Sequence, residues 1–278
     1  MFTRSFRSIA LAALALLCLG VAGFVVASDS PSTEPKLTEE QERDFLLHAK
    51  VIKSKQTSKG VTSPWRLTLS DGTLTHDAIF QSVDERKNSM SFSDGRTELN
   101  FKDSYHFNIA GYELAKLLGM DDMVPMYVER KWNGQSGSIG WWLAVKMDEI
   151  ERTKQHIQAP DPDGWNKQMY KIRVLDQLVY DTDPNLTNVL ITEDWKIWRI
   201  DFTRGFRLYK DLRDPKDLVM CDRKLLDRLR KLDEDELAEN TKKQLTKGEL
   251  KAVIARRDKI VERFDKLVAE KGEGAVLY

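Results

Sequence analysis

Asp183, Asn188 and Asp201 are the residues of this chain whose types and spacing could do chemistry, and that chemistry is phosphoryl transfer. They belong to the run Asp181-Thr182-Asp183-Pro184-Asn185-Leu186-Thr187-Asn188, followed by the apolar Val189-Leu190-Ile191 and by Trp198-Arg199-Ile200 leading into Asp201. Moving a γ-phosphoryl group takes one carboxylate to orient the attacking hydroxyl, and a second carboxylate with an amide oxygen to hold Mg²⁺ or Mn²⁺ against the phosphates. Asp183 suits the first role. Asn188 and Asp201 suit the metal, with Asp183 and Asn188 at D-x-x-x-x-N spacing. Two short apolar strands, 189–191 and 197–200, flank a turn at Thr192-Glu193-Asp194, a hairpin that would return Asp201 to the same pocket. Taken alone, the same residues also read as an Asx-rich turn, because Asp, Pro and Asn form turns for backbone reasons. Asn185-Leu186-Thr187 is a glycosylation sequon as well, read here as coincidence.

The elements that must position these residues are strands first and helices later. Val51-Ile52, the alternating Trp65-Arg66-Leu67-Thr68-Leu69 and the run Ala78-Ile79-Phe80-Gln81 read as an antiparallel meander, with turns around Ser58-Lys59-Gly60 and Ser70-Asp71-Gly72. Thr38 with Glu40 and Glu42 opens a short helix ahead of them. Phe107, Ala110, Leu114, Leu117 and Leu118 fall at helical spacing within 104–118, and Gly119 closes that helix. Segments 124–128 and 139–143 are two more strands, joined through Asn133-Gly134. Beyond Met147 the periodicity is helical: a Glu/Lys-rich stretch to Gln158, a helix over 165–180, and a last helix opened by a Thr246/Glu249 capping box. The expectation is an α+β fold in two lobes, a small β-rich one with a helix over 37–146 and a larger helical one over 147–278.

In that order and spacing, four blocks resemble the atypical kinase superfamily that joins lipid kinases, HipA-like toxins and the secretory-pathway kinases of casein-like proteins. Ala78-Ile79-Phe80-Gln81 is similar to the A-x-F-K strand of the secretory kinases, and residues 107–125 are similar to their E-I-A-A-x-x-L-D-R-x-L…V-P helix and strand. Leu175-Asp176-Gln177-Leu178 leading to Asp183 resembles D-x-L-x-x-N-x-D-R, and Ile200-Asp201-Phe202-Thr203-Arg204-Gly205-Phe206 resembles the metal-binding L-D-x-x-R-G-F. The resemblance implies a two-lobed kinase-like fold, ATP with Mg²⁺ or Mn²⁺ as cofactors, and an exported bacterial member as the setting.

The departures from the family pattern fall in the nucleotide cleft. Gln81 replaces the strand lysine that pairs the phosphates, Asn108 replaces the helix glutamate that holds that lysine, and Pro184 stands where relatives carry Arg. Losing both charges together avoids an unpaired buried ion, so the pair reads as one polar substitution whose amides would face each other and donate to a phosphate. Lys102 could restore the missing charge, with Glu113 as its partner, or lie on the surface. Lys55, Lys59 and Gly60 occupy the place of a phosphate-covering loop or form a solvated turn, and Trp141 and Trp142 make an adenine wall or core. Two functions stay open: an ATP-dependent atypical kinase acting on a protein, lipid or sugar, and a pseudokinase that binds nucleotide or protein without transfer.

Composition excludes other classes. Of 278 residues 41% are hydrophobic and 9% aromatic, enough for a real core, and Lys+Arg equals Asp+Glu at 44 each with no basic stripe, so nothing argues for nucleic acid. The four histidines are scattered and neither H-E-x-x-H nor G-x-S-x-G occurs, which removes the hydrolase classes those motifs mark. At the start, Arg4 and Arg7 precede an apolar run over 9–27 that ends in small residues, and a Ser/Pro/Thr-rich linker over 28–36 follows. Segment 1–27 reads as a signal peptide or, since ~20 apolar residues span a bilayer, as an uncleaved membrane anchor. Either way the expectation is a secreted, periplasmic or membrane-tethered domain outside the cytoplasm. Leu17 before Cys18 gives no lipoprotein site, and removal of the segment leaves Cys221 as the sole thiol.

Overall fold

A computed structural model describes residues 37–57, 64–92, 95, 97–182 and 185–278. The apolar segment 9–27, the linker, Lys59, Gly60 and Asp183 lie outside the described residues. Residues 37–278 form one compact unit, and no described helix is long and apolar enough to cross a membrane.

The unit opens with α1 (Glu39–His48), started by a capping box in which Gln41 N–H donates to Thr38 Oγ1 at 3.2 Å and Thr38 N–H to Gln41 Oε1 at 2.9 Å. The reciprocal partner is Gln41 rather than Glu40 or Glu42, because it stands three residues beyond the cap. The meander follows as β1 (Lys50–Gln56), β2 (Trp65–Ser70) and β3 (Thr75–Gln81). Its alternation sends Leu67, Leu69, Ala78 and Phe80 inward, each at most 1% exposed. A hairpin that the sequence pattern does not announce comes next, β4 (Asp84–Ser91) and β5 (Thr97–Ser104). Helix α2 (His106–Leu117) then buries Phe107, Asn108, Ile109, Gly111 and Leu114. Strands β6 (Tyr127–Trp132) and β7 (Gln135–Trp141) turn at Asn133 and Gly134, both left-handed, and complete a five-stranded sheet of order β1-β2-β3-β7-β6. In its register Phe80 faces Ile139 and Gln81 faces Ser138. Gly137 and Gly140 permit the close packing there, since a Cβ would lie 2.4 Å from the Gln81 carbonyl oxygen and 2.3 Å from the Tyr127 ring respectively.

The rest is mostly helical. After β8 (Met147–Asp148) comes the short α3 (Glu149–Lys154), which ends well before Gln158, and then α4 (Pro162–Val179), with Asp161 accepting the Gly164 N–H as its cap. Strands β9 (Val189–Ile191) and β10 (Ile197–Arg199) join β8 in a small sheet of order β10-β9-β8. Helices α5 (Arg223–Lys231), α6 (Glu234–Thr241) and α7 (Lys247–Lys271) follow, the last capped by the Thr246/Glu249 box. Helix α7 buries Leu250, Val253, Ile260, Phe264 and Leu267 and packs against α4, α5 and α6. The β-rich beginning and helical end agree with the α+β expectation.

Candidate active site

The β9–β10 hairpin brings the two expected metal residues to its open end. Val189 pairs with Arg199 in the ladder, and one residue further out Ile200 N–H donates to the Asn188 carbonyl at 3.0 Å. Asn188 closes a 3₁₀ turn whose cap is Asn185, with Thr187 N–H on Asn185 Oδ1 at 3.0 Å. Asp201 takes a left-handed backbone, φ 59°, which a non-glycine residue keeps only when its surroundings hold it there. Thr203 Oγ1 donates to Asp201 Oδ1 at 3.0 Å. Burial pushes the Asp201 carboxyl above the usual carboxylate range, against the pull of Thr203 and the Arg199 guanidinium. A desolvated carboxylate of this kind suits a hard divalent cation, which takes oxygen ligands and offsets the burial penalty.

Arg199 holds this end of the hairpin to the loop that leads to Asp183. Its side chain is 1% exposed; Nε donates to Asp176 Oδ1 of α4 at 2.9 Å, Nη2 pairs with Asp181 Oδ2, and Nη1 reaches the Ile200 carbonyl. Burial works against the guanidinium charge, and Asp176 and Asp181 more than offset it, keeping Arg199 above its ordinary range. Arg213 adds a donor to the Asp181 carbonyl. Helix α4, Asp181 and the end of β10 are thus tied at one buried ion. Sequence alone does not single out Arg199, because a basic residue in a short apolar strand also fits an exposed edge, whereas here two acids from other elements enclose it.

Gln81 and Asn108 meet in the cleft. Asn108 Nδ2 donates to Gln81 Oε1 at 2.6 Å and to Ser138 Oγ at 3.2 Å, while its Oδ1 accepts the Phe202 N–H at 2.8 Å. Asn108 is 0% exposed and Gln81 is 7% exposed. Both amide hydrogens of Asn108 are therefore spent inside the protein, which corrects the idea that the two amides together serve a phosphate. Of these two amide groups, only the Gln81 Nε2 donates no hydrogen bond among the described residues. What Asn108 does is tie β3, β7 and α2 to the residue directly after Asp201. Phe202 also lies against α2, where the missing side chain of Gly111 leaves room for its ring.

Lys102 does not restore the cleft charge. It is 8% exposed, forms a 2.6 Å ion pair with Glu249 of α7 and sits 4.1 Å over the Phe107 ring. Glu113 pairs with Arg43 of α1 at 3.1 Å instead. The reason is distance along the chain: Glu249 is remote in sequence and folds back onto the base of α2. Lys55 is exposed on β1. Trp141 stacks on His76 at 3.8 Å and Trp142 carries the Arg66 guanidinium at 4.4 Å, so both rings are engaged in packing. Among the described residues no three His, Cys, Asp or Glu side chains cluster as a metal site.

This arrangement, a β-rich part with one buried helix followed by a helical part that presents Asn188 and Asp201 on a hairpin, is an atypical kinase-like fold. No protein-family model matches the sequence, and no curated protein matches it. Among solved structures it is similar to hydra Fam20 with sugar, at a TM-score of 0.63 and 14% identity, covering 86% of this chain and 91% of that one. A Golgi casein kinase matches at TM-score 0.59 and 15% identity, over 84% of this chain and 77% of its own. The Golgi casein kinase with Mn/ADP bound matches at TM-score 0.57 and 14% identity, with the same coverage. At these identities the likeness establishes the fold.

Proposed function

We propose that the protein is an atypical kinase that binds ATP with Mg²⁺ or Mn²⁺ and transfers phosphate to a hydroxyl acceptor. Asn188 and Asp201 hold the metal, which would supply charge for the phosphates, and Asp183 orients the acceptor hydroxyl. The observation that carries this reading is the β9–β10 hairpin, which sets Asn188 and the left-handed Asp201 at one open end while Arg199 ties it to Asp181. A protein kinase and a sugar-bound protein among the structural neighbours favour protein or sugar hydroxyls as the acceptor class. The apolar run over 9–27 supports placing the domain outside the cytoplasm, secreted or tethered.

The second reading, a pseudokinase, is favoured by one observation: Asn108 is saturated and Lys102 is paired elsewhere, so the β3–α2 side of the cleft offers a phosphate only the Gln81 amide. Incubation with labelled ATP, Mn²⁺ and casein or oligosaccharide separates the two. Transfer that Asp183→Asn abolishes supports the enzyme; metal-dependent nucleotide binding with no transfer to any acceptor, nor hydrolysis, selects the pseudokinase.

A further inference from the structure

Two arginines that phosphoryl transfer does not use converge on one carboxylate beside the Asp201 loop. Glu98 of β5 places Oε2 on Arg204 Nη2 and Oε1 2.7 Å from Arg207 Nη2. The three side chains are 13%, 16% and 5% exposed. Thr182 Oγ1 lies 3.4 Å from Arg204 Nη2 and 3.2 Å from Arg207 Nη2, so the loop that leads to Asp183 shares the same pair. Donors and acceptors here are mismatched in geometry: Glu98 Oε1, although 2.7 Å from Arg207 Nη2, completes no hydrogen bond among the described residues. Arg204 Nε and Arg207 Nε are buried and have no hydrogen-bond partner among the described residues. One carboxylate brings two oxygens to a planar fork that has five N–H donors on each arginine, and a tetrahedral oxyanion would bring four. Asp181 and Asp103 are further counter-charges near Arg207, but Asp181 is paired with Arg199, and Asp103 accepts a hydrogen bond from Thr203 and leaves its Oδ1 unpartnered.

We propose that Arg204, Arg207 and Thr182 form an oxyanion-binding site, that Glu98 fills it from within the chain, and that this built-in anion fixes the Asp201 loop where a bound phosphate or sulfate group otherwise would. The same hairpin strand reinforces the contact, since Ser104 N–H donates to the Thr203 carbonyl at 2.9 Å. An arginine pair closed by an anion is a general way to order a loop, whether the anion is a phosphate or an acidic side chain. The anion site stands on geometry alone; its effect on Asp201 rests on the phosphoryl-transfer reading.

Glu98→Ala tests the site by opening it to an external anion. The probe is sulfate, titrated against chloride at constant ionic strength, with urea unfolding as the readout and wild type as the control for the general stabilisation that sulfate gives every protein. We expect the variant to lose roughly tenfold or more in its unfolding equilibrium constant, as two buried arginines lose their partner. Sulfate should then restore it saturably beyond the wild-type response, and Arg207→Gln in the same background should remove that excess. A second arm measures Mn²⁺-dependent ATP affinity of Glu98→Ala, expected to fall and to recover with sulfate. If wild type binds no nucleotide, the kinase reading fails while the unfolding arm still decides the site. Equal sulfate responses in wild type and variant, or a response that survives Arg207→Gln, would overturn the proposal. Should Glu98→Ala not fold, a double-mutant cycle of Glu98→Gln and Arg207→Gln reads the same contact: strong coupling supports it and additivity overturns it.

Discussion

Replacing Asn108 by Leu removes three hydrogen bonds at the point where the sheet, α2 and the Asp201 loop meet. Leucine keeps nearly the same volume, so the effect comes from polar groups left without partners. The Phe202 N–H cannot move, being fixed by the backbone and completely buried with its residue, and its loss of the 2.8 Å bond to Asn108 should cost about 1–3 kcal/mol. Gln81 keeps slight exposure and can rotate its amide, and the Ser138 hydroxyl can turn to another acceptor, so each adds only about 0.5–1 kcal/mol. The total is ~2–5 kcal/mol, a large share of the ~5–15 kcal/mol that a domain has. Urea unfolding should show a lower midpoint with an unchanged m-value. Adding Gln81→Leu should cost less than it does in wild type, since the Gln81 carbonyl already lacks its donor. A loss below about 0.5 kcal/mol for Asn108→Leu would refute the claim that Asn108 holds the Asp201 loop, because a surface substitution does as much.

Three further outcomes follow from single contacts. Lys102→Met should destabilise by ~3–5 kcal/mol by leaving the buried Glu249 without its counter-charge, and adding Glu249→Gln, which removes the charge but keeps the capping box with Thr246, should recover part of the loss in the same unfolding assay. Gly111→Ala sets a Cβ 2.7 Å from the Phe202 ring, so it should cost about 1–3 kcal/mol and weaken metal-dependent nucleotide binding. Glu42 of α1, raised to about 7 first by burial and then by the neighbouring Glu39, keeps its proton in the folded chain where the unfolded chain has already lost it. Stability should therefore fall as pH climbs from 4.5 toward 7 and level off above, and Glu42→Gln should remove that slope, gaining ~1–2 kcal/mol on wild type at pH 8 after solvent screening but little at pH 5.

The parts of the fold that could be read from the sequence are those whose burial leaves a period. Leu67 and Leu69 alternate with polar residues because one face of β2 is covered, and the face of α7 repeats because the helix packs along its length on three others. The hairpin β4–β5 carries Asp84, Glu85, Arg86 and Lys87 on an exposed strand, so no apolar alternation marks it. Helices α5 and α6 are short and rich in charge, and their buried leucines, Leu225, Leu226, Leu229 and Leu237, are too few to stand out as periods. At the site, the facing of Gln81 and Asn108 could be inferred from a pattern of paired replacement. The destinations of Lys102, Arg199 and Arg204 could not, because each ends on an acid from a distant segment, and only the packed chain determines which acid is near.

The account depends most on Asp201 as a metal ligand for nucleotide. Calorimetric titration of the purified protein with ATP, in Mn²⁺ and again in excess chelator, is the most direct measurement. Wild type should bind in metal and lose most of its affinity in chelator, Asp183→Asn should bind as wild type does, and Asp201→Asn should behave in metal as wild type does in chelator. Equal affinity of wild type and Asp201→Asn in Mn²⁺, or no ATP binding by wild type under either condition, would contradict the assignment and leave a kinase-shaped domain with another use.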